Sequence, residues 1–142
     1  MRIYLDACSI QRPLDTKSQI RIVLEAEAVL GIMSLIESGH ADLVSSEALE
    51  FETEQNPNLI RREYAHEVLS RAAFIATINE QVEVRARRYH KISILAHLAL
   101  AEEAQTDFFC TCDDKLFKKA RRIEELKVRV VSPVELIEEI EK

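Results

Sequence analysis

The segment Asp107-Phe108-Phe109-Cys110-Thr111-Cys112-Asp113-Asp114-Lys115-Leu116 joins an apolar run to a pair of acids and then to a basic stretch. Residues 107–112 have the length and apolar character of a strand buried on both faces. Asp113 and Asp114 open a basic helix through Arg122, with Asp113 well placed to cap it. The same alternation recurs along the chain. Residues 2–5, 42–45 and 128–131 form further short apolar strands, and helical spacing fills the gaps between them. Ile22, Ala26, Val29, Met33 and Ile36 mark a helix over 19–38 that Gly39 stops. Another begins at Ser46 and breaks at Asn56-Pro57. Residues 59–74 carry Tyr64, Val68 and Ala72 four apart, and a capping box of Thr77 and Glu80 predicts a helix from about 78 to 89. Residues 93–104 read as a buried Ala-rich helix, and Ser132-Pro133-Val134-Glu135 is a strong helix start. Residues 7–18 read as a loop. Short strands alternating with helices predict an α/β domain over residues 1–142. It has three layers, a short parallel sheet of about four to five strands flanked by helices.

Composition narrows the function. Apolar residues make up 47% and charged residues 31% of 142, which suits a folded globular chain. No stretch approaches the roughly 18 uncharged residues of a membrane span. Asp6 falls where a signal peptide would be apolar, so the expected location is cytoplasmic, away from membranes. Three cysteines, Cys8, Cys110 and Cys112, make no disulfide framework and are read as small thiols in a reducing compartment. Two glycines, Gly31 and Gly39, lie in no glycine-rich loop, which removes the P-loop and the dinucleotide fingerprint. A net charge of −6 argues against nucleic-acid binding by a general positive field, but not against a local grip on a short stretch. The basic runs Arg61-Arg62, Arg87-Arg88 and Lys118-Lys119 read mostly as solvated helix faces.

Ligands of open parallel sheets bind beyond the carboxyl ends of the strands, near the point where strand order reverses. Asp6 and Asp113 stand at two such ends, and Glu52, about two turns into the helix after the second strand, can lean over the same edge. Taken singly, each acid is explained as a strand end, a helix cap or part of an exposed face. Together they point to a divalent cation, because converging carboxylates repel unless one lies between them. All-oxygen donors favour Mg²⁺ or Mn²⁺. Without metal, at least one of the three is expected to titrate well above its usual value.

Ile3-Tyr4-Leu5-Asp6-Ala7-Cys8-Ser9, then Ser46 with Glu52, then Phe108 to Leu116 with its T-x-D-D segment, resemble the PIN-domain family, including VapC-type toxins. The resemblance covers nearly the whole chain and keeps the element order. It implies a Mg²⁺- or Mn²⁺-dependent ribonuclease, with an RNA substrate, an antitoxin protein as partner and a homodimeric state. Asp6, Glu52 and Asp113 match family acids that hold metal and carry catalysis, and Asp114 matches an auxiliary metal-binding one. One position departs. Relatives carry an acid three residues before the His of a D-x-x-H-L-A segment, where this chain reads Ile94-Leu95-Ala96-His97-Leu98-Ala99. Glu102 does not replace it, lying about 12 Å further along the helix. His97 is expected to be a structural histidine rather than a ligand. The alternative reading is a catalytically degenerate PIN domain, with a weakly bound ion or none, that binds RNA or protein.

Overall fold

The computed structural model describes residues 1–88 and 95–142, so position 94 lies outside the described residues. Five strands are present among those described: β1 Arg2–Leu5, β2 Asp42–Ser46, β3 Phe74–Ala76, β4 Phe108–Cys110 and β5 Arg129–Val131. They form one sheet in the order β3-β2-β1-β4-β5. Every pairing is parallel, with Ile3 opposite Leu43 on one side and Phe108 on the other. Ile3, Tyr4 and Leu5 are fully buried, as a central strand of a covered parallel sheet requires.

Eight α-helices flank the sheet among the described residues: α1 Ala7–Gln11, α2 Ile20–Glu37, α3 Glu47–Gln55, α4 Leu59–Leu69, α5 Glu80–Arg88, α6 Leu95–Glu103, α7 Asp114–Arg121 and α8 Pro133–Glu141. The architecture is the PIN-like α/β fold expected from the resemblance. None of the described helices is long and apolar enough to cross a membrane. Local chemistry sets the ends. Gly39 ends α2 at φ +81°, a conformation that costs glycine little. Ser132 and Glu135 cap α8 reciprocally behind Pro133.

Three expectations need correction. Residues 7–18 are not all loop, because the Asp6 side chain accepts the Ser9 N–H and nucleates α1, which runs into a 3₁₀ turn, Arg12–Leu14. The helix expected over 59–74 ends at Leu69, and Phe74–Ala76 leaves it to become the edge strand β3 beside β2. Thr77 does not start α5; the Asn79 side chain does, accepting the Val82 N–H at 2.9 Å, so the helix begins at Glu80.

Candidate functional site

Outward from β1, the chain winds to β2 and β3 on one side and to β4 and β5 on the other. The order therefore reverses between β1 and β4, and the residues just past those two strands are Asp6 and Thr111 to Asp113. A cleft of about 240 Å³ opens there, with Asp6, Cys8, Glu52, His97 and Asp113 among its lining residues. The three acids singled out in sequence thus face one hollow.

Each acid already has local work. Asp6 is buried at the start of α1, where Oδ1 accepts the Ser9 N–H at 3.0 Å and the Cys8 Sγ–H at 3.1 Å. Burial pushes the Asp6 carboxyl above its usual range, and hydrogen bonds from Thr111, Cys8 and Ser9 offset that only in part. One acid of the three is thus raised, though not for the reason expected. The cause is desolvation rather than crowding by the other two.

Glu52 extends from α3 and is half-exposed, its Oε1 only 2.5 Å from His97 Nε2. His97, on α6, is buried, and its Nδ1 lies 2.6 Å from the Tyr4 hydroxyl. That hydroxyl meets Ser46 Oγ at 2.7 Å, and Ser46 caps α3 by accepting the Leu49 N–H at 3.1 Å. A hydrogen-bonded chain therefore runs from the first turn of α3, through β1 and α6, back to the carboxylate that α3 carries. Tyr4 stacks on Phe109 across β1 and β4 at 5.0 Å, which fixes its ring. Burial holds the phenol far above its normal pKa, so it stays protonated.

Asp113 caps α7, its Oδ1 accepting Lys115 N–H at 2.9 Å and Leu116 N–H at 3.3 Å. Its own N–H donates to Thr111 Oγ1 at 3.0 Å. Asp114 faces elsewhere. Arg21 grips both its oxygens at 2.7 and 2.8 Å, and it lines an adjoining hollow of about 510 Å³ with Arg21, Glu25 and Phe117. The Arg21 hydrogen bonds hold the Asp114 carboxyl below its usual range. A larger hollow of about 640 Å³, lined by Arg85, Glu103, Thr106 and Lys127 among others, lies before β4, away from these acids.

Among the described residues, no three His, Cys, Asp or Glu side chains are grouped closely enough to hold a metal ion as they stand. The donor types in the cleft suit Mg²⁺ or Mn²⁺, but the placement of Glu52 against His97 does not complete a set. Sequence reasoning missed the polar chain that holds Glu52. The signal was Tyr4, a phenol in an aliphatic strand that must find a partner once buried.

The fold and cleft define a PIN-like α/β domain with a carboxylate-lined switch point. No protein-family model matches the chain, and no curated protein matches its sequence. Among solved structures, FitAcB from Neisseria gonorrhoeae is similar at TM-score 0.55 and 20% identity, over 93% of this chain and 98% of that one. FitAB bound to an IR36 DNA fragment is similar at TM-score 0.51 and 20% identity, over 92% and 94%. The likeness is one of fold, and it runs through nearly the whole of both chains.

Proposed function

We propose that the protein is a divalent-metal-dependent ribonuclease of PIN type, acting as the toxin of a toxin–antitoxin pair. The observation that carries this reading is the convergence of Asp6, Glu52 and Asp113 on one cleft at the switch point. A Mg²⁺ or Mn²⁺ ion would be held by these three; Asp114, the auxiliary acid of the family resemblance, is held instead by Arg21 beside an adjoining hollow. When bound, such an ion activates water and offsets charge developing on a phosphodiester. The chain's own residues supply the rest. Asp6 is fixed by Ser9 and Cys8, Asp113 by its own helix start, and Glu52 is kept in reserve by His97. Lys115, Lys118 and Lys119 stand exposed on α7, which Asp113 caps. They offer a local grip on the phosphate backbone despite the acidic whole. An antitoxin partner and a homodimeric state follow from the family resemblance.

The degenerate reading has its own support. The described acids lack a ready three-donor set, and Ile94 stands where the family resemblance implies a carboxylate. Cleavage of a short single-stranded RNA in Mn²⁺, with and without chelator, separates the two. The ribonuclease reading expects chelator-sensitive cutting that falls by about a hundredfold or more in Asp6→Asn, since misplacing a catalytic group costs that much. It also expects Ile94→Asp to raise Mn²⁺ affinity and cleavage together. RNA binding with no cutting by wild type or Ile94→Asp, and no Mn²⁺ uptake by calorimetry, would establish the binding module instead.

A further inference from the structure

β1 acts on the cleft through two side chains. Asp6, just past its end, lines the hollow directly, whereas Tyr4 is fully buried and reaches it only through a neighbour. A phenylalanine at position 4 would fill nearly the same apolar space; what tyrosine adds is one polar atom that must find partners. Those partners are Ser46 Oγ at 2.7 Å and His97 Nδ1 at 2.6 Å. The imidazole stands edge-on to the phenol at 68°, with ring centroids 6.0 Å apart, so the two rings do not stack and the hydroxyl makes the link. Ser46 is held in turn by the Leu49 N–H, and the phenol by its stack on Phe109. The hydroxyl is therefore fixed in place by α3 and β4 before His97 is considered. The far nitrogen of that histidine, Nε2, is the atom that meets Glu52 Oε1 at 2.5 Å.

We infer that Tyr4 is a positioning residue: its hydroxyl donates to His97 Nδ1, fixes the ring and its proton, and so aims Nε2–H at Glu52 to hold that acid in reserve. A histidine ring turned over about its last torsion exchanges each nitrogen for a carbon. Only one of the two settings offers a nitrogen to Tyr4 and to Glu52 at once. Burial keeps the phenol protonated, so it has a hydrogen to give. A donor at Nδ1 leaves the single proton of a neutral imidazole on Nε2, because the hydrogen bond at one nitrogen sets the state of the other. The hold on Glu52 is thus set from β1, the strand that also delivers Asp6, and one strand governs two of the three acids. The consequence for metal binding and RNA cleavage rests on the function proposed above; the hold on Glu52 does not.

Long-range proton–nitrogen NMR of the His97 ring reads the proton directly. Wild type should show a protonated Nε2 and a bare Nδ1, with an Nε2–H signal slow to exchange with water. Glu52→Ala, at a half-exposed position, removes the acceptor and leaves Tyr4 in place. There the proton should stay on Nε2 while its signal exchanges faster. Tyr4→Phe keeps a ring to pack on Phe109 and removes only the hydroxyl, so the Nε2–H signal should broaden as the imidazole loses one of its two ties. A proton on Nδ1 in wild type, a proton that leaves Nε2 in Glu52→Ala, or a Tyr4→Phe spectrum of His97 that matches wild type would each overturn the inference. The first two hold even where Tyr4→Phe does not fold. Calorimetric Mn²⁺ titration reads the consequence. Tyr4→Phe should raise Mn²⁺ affinity by up to about fivefold, the worth of one hydrogen bond, and should add nothing in a His97→Ala background, since it acts through that ring. An equal gain with and without His97 would overturn the role as well. Protein that shows the expected ring pattern yet takes up no Mn²⁺ refutes the metal-dependent reading and leaves Tyr4 as the residue that positions Glu52.

Discussion

One proton order along the chain from Leu49 to Glu52 gives every donor an acceptor. Leu49 N–H donates to Ser46 Oγ, so the Ser46 hydroxyl is free to donate to Tyr4. The Tyr4 hydroxyl then donates to His97 Nδ1, and Nε2–H donates to Glu52 Oε1. In this order His97 accepts at Nδ1 and donates from Nε2. His97 is thus tied on both ring nitrogens, and one of its partners is the candidate ligand Glu52. His97→Ala should destabilise the fold by about 2 kcal/mol, because Tyr4 loses a buried partner. The same change should raise Mn²⁺ affinity about fivefold, since releasing Glu52 no longer costs a hydrogen bond of ~1 kcal/mol. Calorimetric affinity that drops along with stability would mean His97 positions Glu52 for the ion. Asp6, Glu52 and Asp113 could be picked out in sequence because strand ends and acid spacing are local. The grip of His97 on Glu52 joins residues 45 apart in sequence and needed the packing of α6 on β2.

At the scale of elements, the strands and helices that the sequence marked well carry a strong period or a chemical stop. The 18 residues of α2 ended by Gly39 and the Ser132 box of α8 are of that kind. β3 was hidden because three residues cannot display alternation, and Ala72-Ala73-Phe74 continues the four-residue spacing of α4. Only pairing with β2 decides it. α7 shows how one side chain serves two ends, because Asp113 both caps the helix and faces the cleft. Asparagine caps as well as aspartate but carries no charge. Asp113→Asn should therefore leave the unfolding free energy within a few tenths of a kcal/mol while weakening Mn²⁺ binding, whereas Asp113→Ala should lose ~1 kcal/mol as well. Denaturant melts and Mn²⁺ titrations of both variants check this. A Mn²⁺ affinity untouched by Asp113→Asn would remove this residue from the metal site and leave it a cap.

Across the whole molecule, a network of ion pairs ties the elements around the switch point. Arg12 in the 3₁₀ turn bonds Asp15 at 2.9 Å and the buried Glu25 of α2 at 2.8 Å. Arg61 of α4 reaches Asp15 at 2.8 Å, and Arg21 of α2 links Glu25 to Asp114 on α7. The segment expected to be a loop is thus pinned from two sides. Removing Arg12 leaves Glu25 buried with only the longer Arg21 contact, so Arg12→Ala should cost about 3 kcal/mol. Asp15 gives the network a pH signature. Partial burial pulls its carboxyl upward, but hydrogen bonds and charge from Arg12 and Arg61 outweigh that, and the folded value lies below the ordinary one. A depressed carboxyl stabilises the fold fully above its unfolded value of about 3.9, and the contribution fades as pH falls through the lower folded value. Asp15→Asn removes the charge and should cost about 1 kcal/mol at pH 7, a partly exposed pair being worth little more. Below pH 3.9 the gap between wild type and variant should narrow with each step down, as wild type takes up its proton. Urea melts of both proteins at pH 7, 4 and 3 read this directly. A gap that stays constant or widens toward acid would mean that Asp15 contributes through packing, and that the pinning of the 3₁₀ turn is not electrostatic.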